Sequence, residues 1–172
     1  MMKQTRFYNI IFPIWLLLFF PPVIFITLIG NFVIDSLVIV LCYFIFKLAE
    51  TQISLKTFYG KSILKVWIFG FLSDIAGAAI LFFFGIWGDY LGLPYELISG
   101  INSDPFSQPL ALAIVLFSML VSGLLIFVFN YNFTYNTQIE DKKLRLKVTL
   151  AIAVITMPWT FLLPTRWLYR GF

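Results

Sequence analysis

The stretch KVWIFGFLSDIAGAAILFFFGIW, Lys65 to Trp87, decides how the rest of the chain is read. After Lys65 its only charged residue is Asp74, and about 20 consecutive apolar residues are what a helix needs to cross a hydrocarbon core. Trp67 and Trp87 stand about 30 Å apart along a helix, which suits one indole in each interfacial belt. Counting inward from those belts puts Asp74 about 4–5 Å from the midplane. A carboxylate facing lipid at that depth costs about 2.5–3.5 kcal/mol, so Asp74 is expected to face the interior of a bundle. Its neighbours agree. Gly70, Ser73, Asp74, Gly77 and Ala78 recur at spacings of three and four, forming a small-residue stripe that lets a second helix come close.

Composition extends this reading to the whole chain. Of the 172 residues 61% are hydrophobic and 12% charged, far from the balance of a soluble domain. The apolar runs give an all-α polytopic transmembrane helical bundle, a single integral membrane domain over 1–172, with five helices at about 7–29, 32–48, 66–87, 109–130 and 146–163. Between Arg6 and Lys47 the only charge is Asp35, and two breakers compete there, Pro21-Pro22 and Gly30-Asn31. A turn at the prolines leaves too short a first helix and puts Asp35 mid-bilayer, whereas a turn at Gly30-Asn31 leaves Asp35 near the outer surface, so that division is preferred and Asp35 and Asp74 are expected at different depths. An interfacial amphipathic helix is expected at about 52–65, where Leu55, Phe58, Tyr59 and Ile63 share one face and Lys61 and Lys65 another. A short helix is expected after Pro94. Thr137 and Glu140 have the spacing of a capping box ahead of the last helix, where Asp141 can reach Arg145 at i+4.

The fourth apolar run carries Ser118, Ser122 and Gly123. It runs antiparallel to the third, so Ser122 is expected at the depth of Asp74. The two helices then pack through Gly70, Gly77, Ala78 and Gly123, with Asp74 bonded to Ser122 or Ser118.

Charge sets the orientation. With the N-terminus cytoplasmic, ten of the twelve basic residues fall on the cytoplasmic side. Lys56, Lys61, Lys65, Lys142, Lys143, Arg145 and Lys147 then form a membrane-surface basic set facing anionic lipid headgroups, in what is expected to be the plasma membrane. Arg166 and Arg170 fall outside, where Asp35 is a candidate partner. A full last crossing is preferred to a re-entrant hairpin at Pro158. Because the basic residues cluster at the ends of apolar runs, nucleic acid is not expected as a partner.

Histidine is absent and Cys42 is the only cysteine, which removes Ser-His-Asp and Cys-His nucleophiles, disulfides within the chain and thiolate metal sites. There is no phosphate-binding loop, dinucleotide fingerprint or potassium-filter sequence. No catalytic activity, metal or cofactor is expected. The expected function is that of a non-catalytic accessory or assembly subunit, acting by helix–helix association with a membrane-protein partner or a second copy of itself. The alternative is a small transporter or solute-binding component in which Asp74, Ser73, Ser118 and Ser122 line an intramembrane site. One observation separates them: a dry, filled bundle around Asp74 favours association, and a polar cavity reaching it favours transport.

Overall fold

A computed structural model describes residues 13–19, 21–165 and 167, and every regular element among them is helical. The α-helices are α1 (Pro21–Ile45), α2 (Leu55–Ile86), α3 (Tyr95–Ser103), α4 (Pro109–Phe129) and α5 (Lys142–Thr156). Short 3-10 segments precede α1 (Ile14–Phe19) and follow α5 (Trp159–Leu162), and a π-helical turn (Asn130–Thr134) extends α4. Among the described residues four stretches are long and apolar enough to cross a membrane: Ile24–Ile45, Leu55–Ile86, Pro109–Thr134 and Lys142–Leu162.

The beginning of the bundle corrects the expected boundaries. Where helices at 7–29 and 32–48 were expected to meet at Gly30-Asn31, α1 runs straight through both residues, and the break falls at Pro21-Pro22. Prolines lack the N–H that an interior helical turn uses, but the first turn of a new helix does not need it, so the pair starts α1. Gly30 costs a helix only about 1 kcal/mol, and nothing crowds it. Met1 to Phe12 lie outside the described residues, and with them the start of the expected 7–29 helix, Lys3, Arg6 and the side on which the N-terminus stands.

The interfacial helix at 52–65 is not a separate element. The Ser54 hydroxyl accepts a hydrogen bond from the Thr57 N–H at 3.3 Å, and α2 then continues unbroken for 32 residues. Phe58, Ile63 and Val66 on its apolar face are buried against α1 and α5, so that face meets protein where the amphipathic pattern suggested lipid. Trp67 also turns inward. Its indole donates to the Leu28 carbonyl at 2.8 Å and meets Phe32 edge-on, which anchors α1 to α2.

The later elements follow the sequence more closely. The short helix after Pro94 forms as α3. Gln108 caps α4 by accepting from the Ala111 N–H at 2.7 Å, with Pro109 at the first helical position. Asp141, not the Thr137–Glu140 box, caps α5 by accepting from the Lys143 N–H at 2.8 Å. The chain beyond α5 reaches the opposite end of the bundle, where the Thr165 N–H donates to the Ser103 carbonyl at 2.7 Å and its hydroxyl to the Asn102 carbonyl at 3.0 Å. The last segment therefore runs the full length of the bundle.

Apolar packing is divided in two. Ile39, Phe58, Tyr135, Val148 and Ile152 form a cluster at the end bearing the lysine-rich connectors, and Trp15, Leu81, Ile101, Met119 and Phe161 form another at the far end. On α2 and α4 the buried polar residues Ser73, Asp74 and Ser122 lie between members of the two clusters, with Ser118 one turn further into the far-end cluster.

Candidate functional site

The stripe around Asp74 packs where the spacing placed it, against α4. The Ser122 hydroxyl donates to Asp74 Oδ1 at 2.9 Å, and the Ser118 hydroxyl donates to the Gly77 carbonyl at 2.6 Å. Ser73 donates back to the Phe69 carbonyl of its own helix at 2.6 Å. A Cβ on Gly77 would stand 3.1 Å from the Ser118 carbonyl oxygen, 3.2 Å from Ser122 Cβ and 3.3 Å from the Phe161 ring. Ala78 is fully buried beside it. The other two glycines serve different contacts. Gly70 faces α1, with Asp35 Oδ2 3.8 Å from its would-be Cβ, and Gly123 faces α5, with Met157 Sδ at 3.4 Å.

Asp35 is the principal correction. It is neither near a surface nor remote from Asp74, because α1 is one continuous helix and presents Asp35 to Gly70. Asp74 is only one turn, about 6 Å, further along α2. Arg166 and Arg170, the expected partners of Asp35, lie outside the described residues. Asp35 is 4% exposed and Asp74 6%. Both line a cavity of about 210 Å³ between α1, α2 and the end of α5. Thr27, Asn31, Thr156 and Thr160 add polar groups to its wall, and no Lys or Arg among the described residues lines it. Among the described residues the Asp35 carboxylate has no hydrogen-bond partner.

The cavity exists because α5 stops beside it. Pro158 has no N–H for the Val154 carbonyl, and the indole of Trp159 takes over that acceptor at 3.0 Å. The Trp159 N–H turns to the Met157 carbonyl at 2.8 Å, and no backbone N–H of the described residues reaches the carbonyls of Ile155 or Thr156. The negative end of the helix dipole thus points at the acids. From Lys147 to Met157 α5 climbs about 15 Å, half the thickness of a hydrocarbon core, so the break falls deep in the bundle. Interrupted helices at such depth occur where the backbone lines a cavity or is covered by protein.

The basic residues divide. Lys56, Lys61, Lys65, Lys142, Lys143 and Lys147 are exposed at one end of the bundle, and Lys65 also donates to the Phe133 carbonyl at 3.1 Å. Arg145 does not belong with them: it is 7% exposed. Its guanidinium lies 4.4 Å over the Tyr131 ring and donates to the backbone carbonyl and side-chain oxygen of Asn136. The ion pair expected at i+4 is not among the salt bridges of the described residues, and the Asp141 carboxylate caps the helix instead.

Sequence reasoning missed Asp35, Asn31 and Thr27 as site residues, although the signal was present. The three recur at a spacing of four, on one face of a largely apolar helix. Thr156 and Thr160 flank Pro158, the breaker that opens the wall. No protein-family model matches the chain, and neither a curated protein nor a solved structure matches it, so any assignment of function stands on this geometry alone.

Proposed function

We propose that the chain is a multi-pass membrane protein that binds and moves a small solute at Asp35 and Asp74, without catalysing a reaction. The observation that carries this reading is a cavity, largely apolar but with polar groups at intervals, that reaches Asp74 and holds a second buried carboxylate with no partner among the described residues. Ionisable side chains at such depth are costly and occur where a substrate or ion passes. Interrupted helices beside such a cavity are the common construction of solute sites in transporters. The lysine-bearing connectors are assigned to the cytoplasmic face of the plasma membrane, against anionic headgroups.

Lateral association with a partner or a second copy rests on the absence of catalytic motifs, the basic segment at the membrane surface and the small-residue faces. Gly70, Gly77 and Gly123 are used within the chain, against α1, α4 and α5. They are not left over for a neighbour, which favours the solute reading.

The test is solvent access. The native thiol, Cys42, is buried, so Asn31→Cys in intact membranes supplies the reactive site. Modification by a membrane-impermeant thiol reagent, absent from the parent chain, is the expected result. Complete protection of Asn31→Cys from both faces, with normal expression, would remove the basis for a solute site.

A further inference from the structure

Resting on the solute-site reading, we propose that the ligand of this cavity is a small organic ammonium ion, with its charged head at Asp35 and its apolar body against α5. The sign of the charge follows from the wall. Two carboxylates and the carbonyl end of α5 converge on the space, and no cationic side chain among the described residues balances them. A buried carboxylate without a partner is destabilising. Asp74 Oδ1 already accepts from Ser122, whereas Asp35 accepts from nothing among the described residues, so Asp35 is the open position.

The organic character follows from the rest of the lining. A hard inorganic cation asks for about six or more oxygen ligands in a close shell. Here Ile34, Ile155, Met157, Trp159 and Phe161 make up much of the wall, with the polar groups at intervals between them. An apolar enclosure with a few convergent polar groups is the usual form of an organic-ligand site, and the Trp159 and Phe161 rings can face a cation. At about 210 Å³ the space exceeds the roughly 150 Å³ of a cavity that accepts benzene, so an aromatic ring bearing an aminomethyl group fits its size. Ile34, Ile155 and Trp159 are each about half exposed on the outside of the bundle. The cavity therefore lies at the edge of the bundle between α1 and α5, beside these apolar side chains, where a ligand with an apolar body can approach it from the lipid.

The experiment is equilibrium dialysis of radiolabelled benzylammonium against the full chain in phosphatidylcholine nanodiscs, with empty discs as the baseline. Saturable binding is expected, with neither benzyl alcohol nor sodium ion competing at equal concentration. Asp35→Asn should weaken binding by about tenfold or more, the usual scale for a hydrogen bond to a charged group. Asp35→Glu, which keeps the charge, should retain most of it. Equal competition by benzyl alcohol would show an apolar pocket blind to charge. Displacement by sodium would show an inorganic ion site, and unchanged affinity in Asp35→Asn would place the ammonium elsewhere; each result overturns the proposal. Because competition is read on the unmodified chain, a variant that fails to fold does not rescue it. No benzylammonium binding, with Asn31→Cys still modified from water, sinks the ammonium ligand and leaves the solute site standing. Loss of both sinks the two together.

Discussion

Two contacts meet at Asp74 and are built in opposite ways. Toward α4 the backbones approach so closely that a methyl group on Gly77 would stand only 3.1 Å from the Ser118 carbonyl oxygen, and the hydroxyls of Ser118 and Ser122 each find an acceptor across the gap. Toward α1 and α5 the same level of the bundle is open, and the Asp35 carboxylate stands without a hydrogen-bond partner among the described residues. One side is close-packed and satisfied; the other is hollow and unsatisfied. The difference comes from the residue opposite. Serines on α4 supply donors and let the helices touch, whereas Pro158 ends α5 early and leaves a space where its next turn would have been. Polar residues inside this bundle therefore do two jobs, and burial alone does not tell them apart.

The comparison predicts a graded series of stabilities. Gly77→Leu should have the largest effect, because overfilling a tight contact costs about 1–3 kcal/mol. It should appear as a drop in the thermal midpoint of the purified chain in detergent. Ser122→Ala removes one interhelical hydrogen bond and should cost about 0.6 kcal/mol, the average for such bonds in membranes. Asp35→Asn should be the mildest: it breaks no hydrogen bond among the described residues and removes a buried charge, so its midpoint should equal or exceed the parent's, while its binding to ligand collapses. If Asp35→Asn melted as early as Gly77→Leu, the hollow side would be structural after all, and the contrast would fail.

Much of this was legible in the residues, for reasons that depend on range. The contact of α2 with α4 is written in small side chains spaced by a helical turn, and the antiparallel depth count from Asp74 to Ser122 needs only the helical rise. The start of α1 was harder. Two breakers lay within ten residues, and local chemistry favours neither until the rest of the bundle supplies contacts, as Trp67 does by bonding to Leu28. That one choice propagated: a turn at Gly30 sends Asp35 to the surface, and a continuous helix brings it to Gly70. The amphipathic start of α2 misled for a similar reason, since an apolar face looks the same in sequence whether it will meet lipid or protein. Arg145 was read as a surface charge because the ring and carbonyl that receive it, in Tyr131 and Asn136, belong to a connector with no periodicity to read.

Trp159 carries one more implication. Its indole stands in for the amide that Pro158 lacks, and its ring also lines the cavity on the side toward lipid. If a solute passes that way, the ring must first let go of the Val154 carbonyl, so that hydrogen bond has to break before the guest moves. Passage would then be infrequent however tightly the guest is held. Substituting Phe, which keeps a ring but grips nothing, should quicken exchange by more than it lowers equilibrium occupancy, a split that stopped-flow washout of labelled benzylammonium would expose.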